Sequence, residues 1–152
     1  MRFQLSSVHP VSPEVFWEEL QYPRSFLYVS APLVRFAPHP DHPLPERWVP
    51  GRYLVTMYLF GFLPLGEQWI VISLDAGNKQ LHDQGHSRLI STWDHRIALE
   101  PAGAGQTRYT DTVEVGAGWL TPLVFAFARV FFWWRQRRWT RFWQDRQPVG
   151  DA

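Results

Sequence analysis

Residues 93–115, WDHRIALEPAGAGQTRYTDTVEV, alternate apolar and polar side chains in two segments that are joined by a glycine-containing turn. Successive side chains of a strand point to opposite faces, so this stretch predicts a β-hairpin with one apolar face. The side chains on that face are Trp93, His95, Ile97, Leu99, Tyr109, Asp111, Val113 and Val115. The hairpin therefore places a histidine and an aspartate among apolar groups.

A contact between His95 and Asp111 would explain this placement. If the turn centres near Gly103, the two residues lie directly opposite each other, with Cβ atoms about 4.5–5.5 Å apart. A lone buried carboxylate costs several kcal/mol, and a hydrogen-bonded partner offsets much of that cost. We therefore predict a His95–Asp111 hydrogen bond. We expect it to orient the imidazole, to raise its pKa and to leave the other ring nitrogen free.

Three interpretations of this pair stay open. It is a satisfied polar contact inside the sheet, a group that recognises a ligand, or an acid–base pair with His95 as general acid or base and Asp111 holding its tautomer. A register slip of one residue would place the two side chains on opposite faces.

The chain before this hairpin begins with alternating residues over 2–9, which predict a first strand. Ser12 and Pro13 then form an N-cap and first-turn pair, which predicts a helix over 13–21. Residues 22–51 contain seven prolines, and we expect a long ordered loop or lid there, with some helical turns around 24–30. Such a loop is a candidate entrance to a pocket.

Further strands are expected between the loop and the 93–115 hairpin. The β-rich runs 52–60 and 66–74 are joined by residues 60–66, FGFLPLG, and a weaker polar strand follows over 79–87. The apolar tip at 60–66 is an ordinary packed turn, a cavity rim or a homodimer contact. Thr121 and Pro122 then begin a long helix that we expect to end near Asp145.

This element order predicts one curved antiparallel β-sheet wrapped around a long C-terminal helix, an α+β fold with a short N-terminal helix or helices. The order, the two hairpins VPGRYLVTMYLFGFLPLGEQWIVI and WDHRIALEP…TRYTDTVEV, and the closing helix resemble the helix-grip proteins of the SRPBCC superfamily. That superfamily includes START domains, polyketide cyclases and the birch-pollen-allergen type. The resemblance implies a central cavity for a hydrophobic or amphipathic small molecule, with catalysis in only some members.

The long helix is rich in arginine and tryptophan. Its expected core-facing stripe comprises Phe125, Ala128, Phe132, Trp139, Phe142 and Trp143. Arg137, Arg138 and Arg141 fall on the opposite side, together with Trp134. The alternatives for that side are a solvated basic face and peripheral contact with an anionic membrane. Net charge is only +1, and we expect no nucleic-acid partner.

Composition limits the other possibilities. The 152 residues fit one domain, expected over 1–147, with a disordered tail at 148–152. Without cysteine there is no disulfide or thiolate metal site, and without a recognisable signal peptide we expect a cytoplasmic protein. His82 and His86 would lie about 13 Å apart along a strand, too far to share one ion. We expect no metal and no cofactor.

Three functional hypotheses follow. The first is binding of a lipid-like or aromatic molecule in a cavity between sheet and helix. Its expected lining comprises Trp69, Trp93, His95, Tyr109, Asp111 and Phe132. The second is an enzyme of the cyclase, dehydratase or isomerase kind, with His95 and Asp111 as catalytic residues. The third is a membrane-surface adaptor that acts through the C-terminal helix. Catalysis is left undecided, and non-catalytic binding is preferred.

Overall fold

The computed structural model describes residues 1–146, so the tail expected at 148–152 lies outside the described residues. Seven strands form one antiparallel sheet in the order β1-β7-β6-β5-β4-β3-β2. The strands are β1 (Arg2–His9), β2 (Val34–Pro38), β3 (Gly51–Leu59), β4 (Leu63–Asp75), β5 (Gln80–Ser87), β6 (Thr92–Pro101) and β7 (Thr107–Gly116). The α-helices are α1 (Pro13–Leu20), α2 (Pro23–Ser30) and α3 (Thr121–Arg146), and a 3₁₀ turn spans Gly118–Leu120. The expected helix-grip arrangement is confirmed.

The N-terminal helix begins as its sequence predicts. The Ser12 side chain accepts a hydrogen bond from the Val15 backbone N–H at 3.3 Å, and Pro13 occupies the first turn. Phe16 is fully buried and packs against Tyr109 of β7 and Trp139 of α3, with ring centroids 5.3 and 4.9 Å away. These contacts attach α1 to both the sheet and the long helix.

Two boundaries differ from the sequence expectation. The proline-rich segment contains α2, as expected, but also the edge strand β2, so the structureless part of it shrinks to residues 39–50. An edge strand tolerates Pro38 because one of its sides has no strand to pair with. In the β3–β4 hairpin, β4 begins at Leu63, so most of the expected connection over 60–66 is strand, with an irregular register near Met57.

The pairing of β6 with β7 is shifted by two residues from the expected register. His95 pairs with Val113, and Ile97 pairs with Asp111. The reason is the turn: Gly103 and Gly105 both adopt positive φ, at 133° and 66°, so the tip falls between them instead of at Gly103. A shift of two residues preserves the face on which each side chain lies. The apolar face is therefore as predicted.

Helix α3 packs along the concave side of the sheet. Its buried residues are Ala128, Phe131, Phe132, Arg135, Gln136, Trp139, Phe142 and Trp143. The recurrence at three and four positions is that of one helix face, and it includes two polar residues at its centre. Phe125, expected on this stripe, is only partly buried and contacts Phe3 edge-on at 5.4 Å.

Candidate functional site

The predicted His95–Asp111 contact is confirmed, with 2.6 Å between His95 Nε2 and Asp111 Oδ1. Two further donors reach the same carboxylate: the Tyr109 hydroxyl donates to Oδ1 at 3.0 Å, and Gln136 Nε2 donates to Oδ2 at 3.1 Å. Gln136 Nε2 also donates to the Leu5 carbonyl at 2.8 Å, which connects the cluster to the first strand. Three donors therefore reach this completely buried carboxylate, and each of its two oxygens is hydrogen-bonded.

The electrostatics of this cluster correct one expectation. Burial lowers the pKa of His95, and the hydrogen bond that His95 donates to Asp111 only partly opposes that effect. The pKa of His95 is therefore not raised as expected. Burial, with Asp111 beside it, raises the pKa of Tyr109 well above its usual value, so the phenol keeps its proton and donates. A neutral His95 that donates from Nε2 leaves Nδ1 as an acceptor.

An inner cavity of about 70 Å³ lies between the sheet and α3. Most of its wall is apolar, with side chains from β3, β4, β5, β6, α2 and α3. Its polar lining residues are Gln68, Asp83, His95 and Arg135. This volume is well below the roughly 300–1,000 Å³ of ordinary ligand pockets and suffices for a few water molecules or a small polar group.

An outer groove of about 860 Å³ adjoins the inner cavity. Residues of β3 and β4, the connection between β5 and β6 and the first turns of α3 form it. Met57, Ile90 and Phe127 line both spaces, and we call these three side chains the neck. Leu89 and Leu123, at 68% and 70% exposure, give the groove an apolar rim.

Three of the six expected lining residues line one of the two spaces, and the other three line neither. Trp93 and His95 line the inner cavity, and Trp69 lines the outer groove, where it lies under the Arg52 guanidinium at 4.1 Å. Tyr109, Asp111 and Phe132 lie behind the wall, which corrects their expected place in the lining. Tyr109 and Asp111 are enclosed by α1 and α3, and the Phe132 ring covers His95 at 4.4 Å. They support the cavity without facing it.

Three polar residues of the inner cavity are not among the site residues expected from the sequence: Gln68, Asp83 and Arg135. Burial raises the pKa of Asp83 to about 7, although the Val71 backbone N–H donates to its Oδ1 at 2.9 Å. The sequence periodicity indicates that these three residues are on buried faces. Asp83 is in phase with Leu81, Gln68 is in phase with Ile70, and Arg135 follows Phe132 by three positions on the buried stripe.

The expected basic face of α3 is only partly solvated. Arg137 and Arg141 are exposed, but Arg138 is partly buried, donates to the Tyr28 carbonyl at 3.2 Å and stacks on the Tyr28 ring at 4.3 Å. Trp134 donates to the Ala31 carbonyl at 3.2 Å. Both side chains attach α3 to α2 and its C-terminal end. No helix within residues 1–146 combines the length and apolar character that crossing a membrane requires.

Several solved structures share this fold. A START superfamily protein from Mycobacterium smegmatis is 15% identical, with a TM-score of 0.64 over 96% of this chain and 99% of that one. The Zhui aromatase/cyclase from Streptomyces sp. R1128 is 10% identical, with a TM-score of 0.69 over 100% and 98% of the two chains. Ginseng major latex-like protein 151 from Panax ginseng is 11% identical, with a TM-score of 0.63 over 94% and 97%.

These likenesses confirm the helix-grip fold that the element order predicts. A search of curated proteins finds none that matches this chain. The model of one protein family matches residues 7–143, which is most of the sequence. The chain therefore belongs to the family described as "Domain of unknown function (DUF8410)".

Proposed function

We propose that this protein binds an amphipathic small molecule, with its polar end in the inner cavity and its apolar body in the neck and the outer groove. The observation that carries the proposal is that Met57, Ile90 and Phe127 line both spaces, so the inner cavity and the outer groove are adjacent. Four polar residues line the inner cavity, and the outer groove has an apolar rim. A molecule with one polar end and an apolar body matches this distribution.

The volume of the inner cavity and the apolar surface of the outer groove determine which part of the ligand each space can hold. The inner cavity of about 70 Å³ is too small for a lipid chain or a fused aromatic ring system, so the bulk of the ligand lies outside it. Burial of about 200 Å² of apolar ligand surface in the neck and groove would contribute about 5 kcal/mol before the costs of association. Exposed apolar side chains such as Leu89 and Leu123 then acquire a partner.

Native mass spectrometry of gently purified protein is the first experiment, and we expect a co-purifying amphiphile. Calorimetric titration with decanol and with decanoate then measures binding directly. The Met57→Trp variant fills the neck and should weaken binding of either probe about tenfold or more. Tyr58→Trp is the matched control, since Tyr58 is adjacent in β3 but stacks on Arg35 at 4.1 Å and lines neither space. Failure of both probes to bind wild-type protein would contradict the proposal.

Acid–base catalysis is the second candidate function. His95 and Asp83 are paired across β5 and β6, and both line the inner cavity. A carboxyl group whose pKa is about 7 is suited to proton transfer near neutral pH, and the His95 ring is held in place by Asp111. The likeness to an aromatase/cyclase is compatible with such chemistry.

Conversion of the co-purifying molecule separates catalysis from binding. Wild-type protein, His95→Gln and Asp83→Asn are each incubated with that molecule, and its mass and chromatographic retention are followed. A catalytic role predicts conversion by wild-type protein and loss of conversion, with retained binding, in at least one variant. An unchanged molecule with all three proteins would leave binding as the function.

A further inference from the structure

Arg135 occupies an unusual position in the cavity wall. Its side chain is on the buried stripe of α3, with only 4% of the residue exposed, and it lines the inner cavity. Its Nε has no hydrogen-bond partner, and the guanidinium forms no ion pair with a carboxylate of residues 1–146. A guanidinium keeps its charge in proteins, so this is a buried cation without a direct carboxylate partner among residues 1–146.

Aromatic rings account for part of its stabilisation. The guanidinium carbon lies 5.2–5.7 Å from the ring centroids of Phe26, Phe131 and Phe132. Cation–π contacts of this kind contribute about 1–2 kcal/mol in desolvated sites, whereas an unpaired buried charge costs several. The rings hold the guanidinium in place without using its N–H donors. Those donors are left for a group that enters the cavity.

The sheet side of the cavity offers a second unpartnered group. Gln68 is 4% exposed, and neither its Oε1 nor its Nε2 has a hydrogen-bond partner within residues 1–146. Gly85 makes room for this amide, since a Cβ there would lie 2.9 Å from Gln68 Nε2 and 2.7 Å from the Trp69 carbonyl oxygen. Asp83 Oδ1 borders the same space, 3.2 Å from that Cβ position. Buried polar groups are rarely left unsatisfied.

We propose that the polar end of the ligand is a carboxylate, which Arg135 binds through its guanidinium and Gln68 through its amide N–H. This inference rests on the proposed function and specifies the ligand class as amphipathic carboxylic acids. A planar carboxylate matches the guanidinium fork and carries one charge against one cation. A phosphate monoester carries more charge, and Asp83 in the same wall disfavours it.

An internal alternative exists, in which water bridges Arg135 to Asp83 and no ligand anion is needed. The two interpretations predict different binding preferences. A carboxylate site favours an anionic amphiphile over a neutral one of the same length, because the anion compensates the cation. An internally paired site shows no preference, because Asp83 already supplies the compensating charge.

The experiment compares decanoate, decanol and decylammonium on the full chain by calorimetric titration at pH 7. We expect decanoate to bind about tenfold or more tightly than decanol, the range for a charge-assisted hydrogen bond, and decylammonium to bind weakest. Arg135→Met should abolish the preference by weakening decanoate while leaving decanol unchanged. Arg138→Met is the matched control, because Arg138 bonds to the Tyr28 carbonyl outside the cavity and should keep the preference.

The outcomes separate the two proposals. Equal binding of decanoate and decanol overturns the carboxylate site and leaves the proposed ligand cavity intact. This comparison uses only wild-type protein, so it remains valid even if Arg135→Met does not fold. A preference that survives Arg135→Met also overturns it. No binding of any of the three probes overturns the proposed function itself. Arg135→Lys, which keeps the charge and loses the fork, should retain part of the preference.

Discussion

Two polar clusters lie inside this protein, one on β6 and β7 and the other on β4 and β5, each with a member on α3, and they differ in how far their hydrogen bonds are satisfied. The cluster around Asp111 joins β6, β7 and α3 by hydrogen bonds, and all of its members are buried. The cluster around Arg135 contains Gln68 and Asp83, faces a cavity and includes donors and acceptors that have no partner among the described residues 1–146. The first is complete without a ligand, whereas the second is not.

This difference separates structural from functional polarity. A fully satisfied buried network specifies one packing of the core, and its removal costs stability. An unsatisfied buried group costs stability as it stands, so its presence is better explained by what it binds. The contrast predicts that substitutions in the two clusters change the free energy of unfolding by different amounts and with different pH dependence.

Replacement of Asp111 should produce the largest loss of stability. Asp111→Ala removes the acceptor for His95, Tyr109 and Gln136 at once, and of these three Gln136 keeps another partner, the Leu5 carbonyl. We expect the free energy of unfolding in urea to fall by about 3–5 kcal/mol. Asp94→Ala is the control, because Asp94 pairs with His82 at 2.9 Å where both side chains are partly exposed, and should cost less than about 1 kcal/mol. Similar losses in the two variants would contradict the contrast.

Acid should destabilise the protein through His9, which packs against Tyr109 of the satisfied cluster at 6.1 Å. Burial lowers the pKa of His9 from 6.5 to about 4, so the unfolded chain binds a proton first as the pH falls. The free energy of unfolding therefore begins to fall near pH 6.5 and continues to fall until about pH 4, and His9 has no such effect above pH 6.5. It amounts to about 3 kcal/mol at most.

His9→Phe measures this contribution. The variant should show a shallower decline of unfolding free energy between pH 6.5 and pH 4 than the wild type, and the His95 contribution should be common to both proteins. Loss of the bond between His9 Nε2 and Ser7 Oγ, 2.8 Å long, lowers stability at every pH and does not change the slope. Parallel curves for the two proteins would refute the assignment to His9.

Replacement of Asp83, unlike replacement of Asp111, should increase the stability of the protein relative to wild type as the pH rises. The pKa of Asp83 in the folded protein, about 7, is above the ordinary 3.8, so the folded state loses stability as the pH rises from about 4 to 7. The groups around it are the Val71 backbone N–H, His95, Asp94 and Arg135. Asp83→Asn keeps the acceptor for Val71 and removes the charge.

The stability of Asp83→Asn relative to wild type should increase by about 2 kcal/mol between pH 5 and pH 8, a discounted value for a group that borders a cavity. Thermal or urea unfolding at the two pH values checks this. Asp75→Asn, at an exposed turn, is the control and should show no such increase. A variant that is less stable than wild type by the same amount at both pH values would place Asp83 with the structural cluster instead.

The sequence predicted the faces of strands better than their partners. Alternation alone placed His95 and Asp111 inside the sheet, because a strand with one buried face has only two choices. The register depended on where a turn with two glycines bends, and the sequence does not say which glycine begins it. The error of two residues left the contact intact, because the His95 side chain reaches Asp111 diagonally.

The binding site was harder to predict than the fold. The alternation that places His95 on a buried face also places Asp83 and Gln68 on one. The strand of Asp83 has a weak, polar pattern, and the strand of Gln68 is predominantly apolar, so neither pattern draws attention to a buried polar residue. Arg135 was hidden within a run of arginines, where only the helical phase from Phe132 to Trp139 separates a buried cation from exposed ones. Strand β2 was missed because its five residues lie among prolines.

The pairing of β1 with β7 also affects how the chain folds during synthesis. Phe3 pairs with Val113, so the first strand has no sheet neighbour until more than 100 further residues have been made. At about 5–20 residues per second, translation leaves β1 unpaired for roughly 5–20 s. Because β1 contacts only β7 in the sheet, the ribosome-bound nascent chain cannot add this edge strand early, and it is among the last parts of the sheet to assemble.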